Sequence, residues 1–215
     1  MAQVQLIELL LQKSELPQAS EVLDVGCGIG GTSRYLAKEH GCMVTGITIS
    51  GQQVQMARRL SRLGVGTPVS SQTASSAGTP VSSNASSIDD AFDHLGKGKV
   101  KFQELDAETM GDHFVSSKFD AVWISEAMSH LPNKQLFFEN AFKLLKPGGR
   151  LVIADWFKAE DLTAAQMESD IKPIEDGMLL PPLCTQQGYV ELAHKAGLSI
   201  LAEPMDISQQ VAKTW

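Results

Sequence analysis

Cysteine is scarce in this chain of 215 residues: Cys27, Cys42 and Cys184, widely scattered. Their spacing is neither that of a metal-ligand set nor that of a disulfide framework. No metal is expected, and the thiols read as reduced, as in an intracellular, cytoplasmic protein. Basic residues are also short. The 18 Lys and Arg against 25 Asp and Glu leave a net charge of −7. That balance provides no basic footprint for nucleic acid. Long apolar runs are missing too. LIELLL, near the start, is brief and carries Glu8, with no basic start or cleavage pattern beside it. It reads as neither a signal peptide nor a membrane span.

One further absence bears on cofactor choice. A strand, VLDV, runs into Gly26, Gly28, Gly30 and Gly31, and the helical pattern TSRYLAKEHG follows at once. A strand, a glycine turn and a helix N-terminus together bring backbone N–H groups and the positive helix end against an anionic or carboxylate-bearing ligand. Gly26, Gly28 and Gly31 satisfy G-x-G-x-x-G, a pattern that packing glycines also produce. The nicotinamide-dinucleotide fingerprint wants an acid at the end of the second strand. Here that strand, CMVTGITI, ends in Thr48 with no acid. Asp24 lies two residues before the first glycine, placed to orient a cationic amino-acid group. S-adenosylmethionine carries an ammonium and a sulfonium; NAD carries neither.

What the chain does have is 43% hydrophobic residues, enough for one domain, 1–215, with a real core. Apolar spacing predicts a helix over 3–13, stopped by Pro17. Strands follow at about 21–26 and 43–48, and helices at 31–40 and from Ser50 to 63. Composition then breaks. GTPVSSQTASSA and GTPVSSNASSI form a near-exact tandem repeat over 66–88. With almost no large apolar side chains it contributes no core, so an insertion over about 65–98 is expected to be disordered. Further strands are expected at 100–106, 119–127, 150–156 and 198–207, with helices at 134–145 and 186–196. Strands alternating with helices predict an α/β fold with a doubly wound, mostly parallel sheet. Replacing 66–88 by a short Gly/Ser joint should leave thermal stability within about 1 kcal/mol. A calorimetric melt of the shortened chain checks this.

VLDVGCGIGGTSRYLAKEHG, VTGITISGQQVQMA, FDAVWISEAMSHLPNK, LLKPGGRLVIADW and LPPLCTQQGYVELAHKAG occur in order. Together they resemble successive motifs of class I S-adenosylmethionine-dependent methyltransferases. The nearest likeness is to the γ-tocopherol methyltransferase type; sterol C-methyltransferases and plant alkaloid N-methyltransferases are related. The likeness runs from about Gln3 to Trp215, broken by the insertion. It implies the Rossmann-like methyltransferase fold. It also implies an N-terminal cover and a seventh, antiparallel strand, both of which this chain is expected to lack.

The resemblance assigns cofactor contacts to Asp24, Gly26, Gly28 and Gly30, around the methionine moiety, and to Thr48, Ser50 and Gln53, near the ribose. Ser50 and Gln53 also read as a helix capping box. It assigns Asp106 to the adenine amino group, with Ala107 alongside, though a surface carboxylate is the plainer reading of Asp106. Ser125, Glu126 and His130 fall at the end of the fourth expected strand, beside the transferred methyl. Glu126 and His130 are four apart, which on a helix would put both on one face. Imidazole is suited to taking a proton from a phenol or amine; otherwise His130 shapes the pocket. Ser129 stands where the family has a second acid. Trp156 either walls an apolar acceptor pocket or packs in the core, and Cys184 reads as a packing residue. The expected activity is methyl transfer to a small, largely apolar acceptor such as a prenylated phenol, sterol or alkaloid. Two other readings stay open: a shortened domain that binds cofactor with weak transfer, and an NAD-dependent oxidoreductase, disfavoured by Thr48.

Overall fold

Val22 faces one side of its sheet, and Leu23 and Val25 face the other; all three are buried. Strands apolar on both faces belong to parallel sheets covered by helices on each side. A computed structural model describes residues 2–63 and 91–211 and has that layout. The chain runs α1 (Ala2–Ser14), β1 (Glu21–Val25), α2 (Gly31–His40), β2 (Met43–Thr48) and α3 (Gly51–Leu63). It continues with β3 (Asp93–Leu95), β4 (Gly98–Glu104), α4 (Met110–His113) and β5 (Phe119–Ser125). Then come α5 (Lys134–Leu144) and β6 (Leu145–Ala154). Beyond β6, α6 (Ala164–Gln166) passes through a π turn, Met167–Ile171, into α7 (Lys172–Met178). Last are α8 (Gln186–Lys195) and α9 (Ser208–Val211).

The six strands lie in the order β3-β4-β2-β1-β5-β6, parallel except for β3 against β4. From β1 the chain winds outward one way through β2 and β4, then returns to wind the other way through β5 and β6. The reversal falls between β1 and β5, and a crevice opens at the carboxyl ends of strands at such a point. Register aligns those ends: Val25 opposite Ile47 and Ile124, Thr48 opposite Glu104, Ser125 opposite Ala154. On one face α1, α2 and α3 bury Ile7, Leu11, Leu36, Ala37, Val54 and Ala57. On the other, α4, α5 and α8 bury Met110, Phe137, Phe138, Leu144, Tyr189 and Ala193.

Two expectations about strands need correction. Residues 198–207 form no strand. An extended segment joins a sheet only where a neighbour accepts its hydrogen bonds. None of the described residues offers one, and Pro204 removes a donor from the segment itself. Ile200, Leu201 and Met205 remain partly or largely exposed. The sixth strand is instead β3, inside the interval expected to be disordered. It turns through Gly96, at φ +60°, to pair antiparallel with β4. The repeat at 66–88 lies outside the described residues.

Candidate functional site

The loop after β1 is held from below and leaves space above. The Cys27 N–H donates to the Ile47 carbonyl at 3.0 Å, and the Gly30 N–H to the Cys27 carbonyl at 2.8 Å. Gly26, Gly28 and Gly30 have φ of +70°, +54° and +77°, the left-handed region that favours glycine. Their surroundings differ. A Cβ on Gly26 would sit 2.4 Å from Ala127 Cβ, and one on Gly30 2.4 Å from the Phe102 ring. These two glycines let the loop pack on the protein itself. A Cβ on Gly28 would meet nothing within 4 Å. Gly28 therefore faces open space, and a side chain there would extend into it. Ile29 in this loop and Ile49 just after β2 are exposed apolar side chains, at 49% and 74%.

Asp24 lies beneath this loop. Its carboxylate is buried and accepts the Ser33 hydroxyl, with Oγ to Oδ2 at 2.5 Å. Ser33 is in the first turn of α2, so the carboxylate also faces a positive helix end. Burial dominates nonetheless: it pushes the Asp24 carboxyl up to about 7, against the opposing bonds from Ser33. Ser33 was not singled out from the sequence, although a serine so close to a helix start is a capping-type signal.

At the end of β2, Thr48 is buried and its hydroxyl donates to Gln53 Oε1 at 2.7 Å. The Gln53 N–H donates to Ser50 Oγ at 3.3 Å. Half of the expected capping box is present, but the Gln53 side chain turns to Thr48 instead of the Ser50 amide. Glu104, in register with Thr48, was not anticipated from the sequence. A Cβ on Gly51 would lie 2.5 Å from its Oε2, so its carboxylate rests against the start of α3. Asp106 does not end β4; it lies two residues beyond Glu104, exposed, with Oδ1 accepting the Glu108 N–H at 2.9 Å. Ala107 packs its methyl into the core, leaving only its backbone for recognition.

The loop after β5 departs most from expectation. Glu126 has φ +55°, a strained conformation for a residue with a Cβ, and its N–H donates to the Ala154 carbonyl at 2.7 Å. A short 3-10 turn, Met128–His130, follows. Glu126 and His130 therefore do not share one α-helical face. Glu126 lines a groove with Asp155 and Trp156; His130 is exposed and outside that lining. Ser125 ends β5, half-buried, between the glycine loop and this groove. Asp155, just after β6, ties that segment to the loop after β5. Its Oδ2 accepts the buried Ser129 amide at 2.9 Å, and its Oδ1 accepts the Trp156 amide at 2.6 Å. Cys184 is half-buried and burial raises its thiol, the opposite of an activated nucleophile.

A doubly wound sheet with a glycine loop at its switch point, an acid beneath the loop and open space above it defines a nucleotide-type cofactor-binding fold. A family model described as "Methyltransferase domain" matches residues 2–203, and the chain belongs to that family. It is 40% identical over 188 residues to 2-methyl-6-phytyl-1,4-hydroquinone methyltransferase of Synechocystis sp., covering 85% of this chain and 48% of that protein. It is 31% identical to chloroplastic tocopherol O-methyltransferase of Arabidopsis thaliana, covering 100% of this chain and 55% of that one. The chain thus spans about half the length of these curated relatives. A similar solved structure is geranyl diphosphate C-methyltransferase of Streptomyces coelicolor, in complex with S-adenosyl-L-homocysteine. It superposes with a TM-score of 0.65 at 18% identity, over 90% of this chain and 60% of that one. The fold expected from the sequence is therefore the fold observed.

Proposed function

We propose that this chain binds S-adenosylmethionine and transfers its methyl group to a small, largely apolar acceptor of the prenylated-quinol class. The observation that carries the cofactor half is the open space over Gly28, at a positive φ, with the buried Asp24 carboxylate under the loop. The acceptor half is supported by the 40% identical relative, whose name specifies a phytylated hydroquinone.

The donor group is fit for these residues. Gly28 leaves room for the methionine portion, and Asp24 attracts its ammonium. Thr48, Ser50, Gln53 and Glu104 offer hydroxyl, amide and carboxylate oxygens to a ribose. Asp106 offers Oδ2 to an exocyclic amine. When bound, S-adenosylmethionine supplies the methyl carbon and the leaving sulfur, so the protein's work is to orient and to exclude water. Ser125 and Glu126 border the reacting end. His130 is the base candidate, required only where the acceptor must lose a proton. Asp155 holds the turn that carries His130. A cytoplasmic setting agrees with the free thiols of Cys27, Cys42 and Cys184. Among the described residues, no helix is long and apolar enough to cross a membrane.

Calorimetry tests this reading. S-adenosylhomocysteine is expected to bind at one site and NAD not at all. Binding of NAD with no response to S-adenosylhomocysteine would overturn it. Radiolabelled methyl transfer to a panel of prenylated quinols, sterols and amines then ranks the acceptors.

A further inference from the structure

Tyr189 presents an anomaly that the cofactor site does not absorb. It sits on the inner face of α8 with 4% of its surface exposed. Its hydroxyl is sealed from solvent and has no hydrogen-bond partner among the described residues. Buried tyrosine hydroxyls ordinarily find one, and an orphan in a native fold calls for a reason. Its ring is caged by aromatics, with Phe138 at 6.0 Å and Phe157 at 5.0 Å between centroids, both edge-on. Phenylalanine would fill such a cage as well. The hydroxyl therefore needs an explanation other than packing.

Its position suggests one. Tyr189 lines the same groove as Glu126, Asp155, Trp156 and Phe157, which runs along β6 from Leu145 to Ala154. Burial raises the phenol, and the nearby Asp155 and Cys184 add to this, so the group stays protonated and able to donate. Trp156 and the half-exposed Phe157 give the groove aromatic walls against which a flat ring can lie.

We propose that an acceptor ring displaces the half-exposed Phe157 side chain packed on Tyr189, and that the Tyr189 hydroxyl so uncovered donates a hydrogen bond to a ring oxygen of the acceptor, selecting hydroxylated aromatic rings over bare hydrocarbon ones. This rests on the methyltransferase reading for its choice of acceptor, but not on cofactor binding. A site built to bond an oxygen rejects an analogue that lacks it, because its own polar group is then left unpaired.

The test is calorimetry on the full chain, with and without S-adenosylhomocysteine. Two probes are used: methylhydroquinone bearing a decyl tail, and decyltoluene, which has the tail and ring without oxygens. Wild type should bind the quinol about 10-fold or more tightly than the toluene, the scale of one well-made hydrogen bond. Tyr189→Phe should abolish that preference by weakening the quinol alone. It should melt at the same temperature as wild type or higher, because it deletes an unpaired buried group. Its affinity for S-adenosylhomocysteine should not change. Equal quinol affinity in wild type and Tyr189→Phe overturns the proposal, as does a wild type that binds no quinol or binds both probes alike. A chain that discriminates the probes but ignores S-adenosylhomocysteine would sustain this proposal and sink the cofactor reading.

Discussion

Replacing Gly28 with valine is expected to leave a folded protein whose affinity for S-adenosylhomocysteine has fallen by about 100-fold or more, ~2.7 kcal/mol. Valine carries branched bulk into the space that Gly28 leaves open. It also pays for a left-handed backbone at φ +54°, roughly 1–2 kcal/mol of stability. That cost is small enough for the domain to survive. Gly30 is the control. Valine there meets the Phe102 ring at 2.4 Å and must disturb the core, adding roughly 1–3 kcal/mol to the same backbone cost. Gly28→Val is thus expected to separate binding from folding, and Gly30→Val to lose both. Thermal melts paired with calorimetric titration distinguish them. A folded Gly28→Val protein that keeps its affinity within threefold would show that no ligand occupies this space.

The difference between those two glycines was not legible in the sequence. Both belong to one motif, and only the approach of Phe102, seventy-two positions on from Gly30, separates a glycine packed against the protein from one that faces open space. The motif itself was legible, because a glycine loop between an apolar strand and a helix is a local pattern. So were the parallel strands with continuous apolar runs, β1, β2 and β5. Residues 198–207 were misread for the converse reason. Their apolar content looks like a strand, but a strand is a pairing, and the pairing partner is not local. β3 is only Asp-His-Leu, without β-branched residues, and is specified by the turn at Gly96 and by β4. Glu126 and His130 were set four apart as if on a helix. The chain there instead takes a left-handed residue at Glu126, whose amide bonds Ala154, and then a 3-10 turn. Ser33 and Tyr189 acquire significance only through burial and through partners on other elements.

Asp24→Asn is expected to stabilise the ligand-free protein at alkaline pH and to weaken the cofactor. The Asp24 carboxyl is raised by burial to about 7; in an unfolded chain an aspartyl group titrates near ~3.9. The sign follows from proton counts. Between those two values the folded state binds more protons than the unfolded state, so stability falls as pH rises through the window. The contribution is fully present below about pH 4 and lost above about pH 7, on the order of 4 kcal/mol at most. Asparagine keeps the shape and can still accept from Ser33, but carries no buried charge. Urea melts of Asp24→Asn should lose this slope and lie above wild type at pH 8. Binding should move oppositely. A cationic ammonium compensates the ionised carboxylate, so wild-type affinity for S-adenosylhomocysteine should rise as pH increases from 5.5 to 8. The other groups coupled to this site are the Cys27 thiol, held neutral by burial, and Arg34, whose guanidinium bonds the Ile29 carbonyl. Neither changes charge in that range. Asp24→Asn should flatten the rise and weaken binding at pH 8 by about 10- to 100-fold, the worth of a charge-assisted hydrogen bond. An asparagine variant with wild-type affinity at pH 8 and an unchanged pH–stability profile would assign Asp24 to neither task.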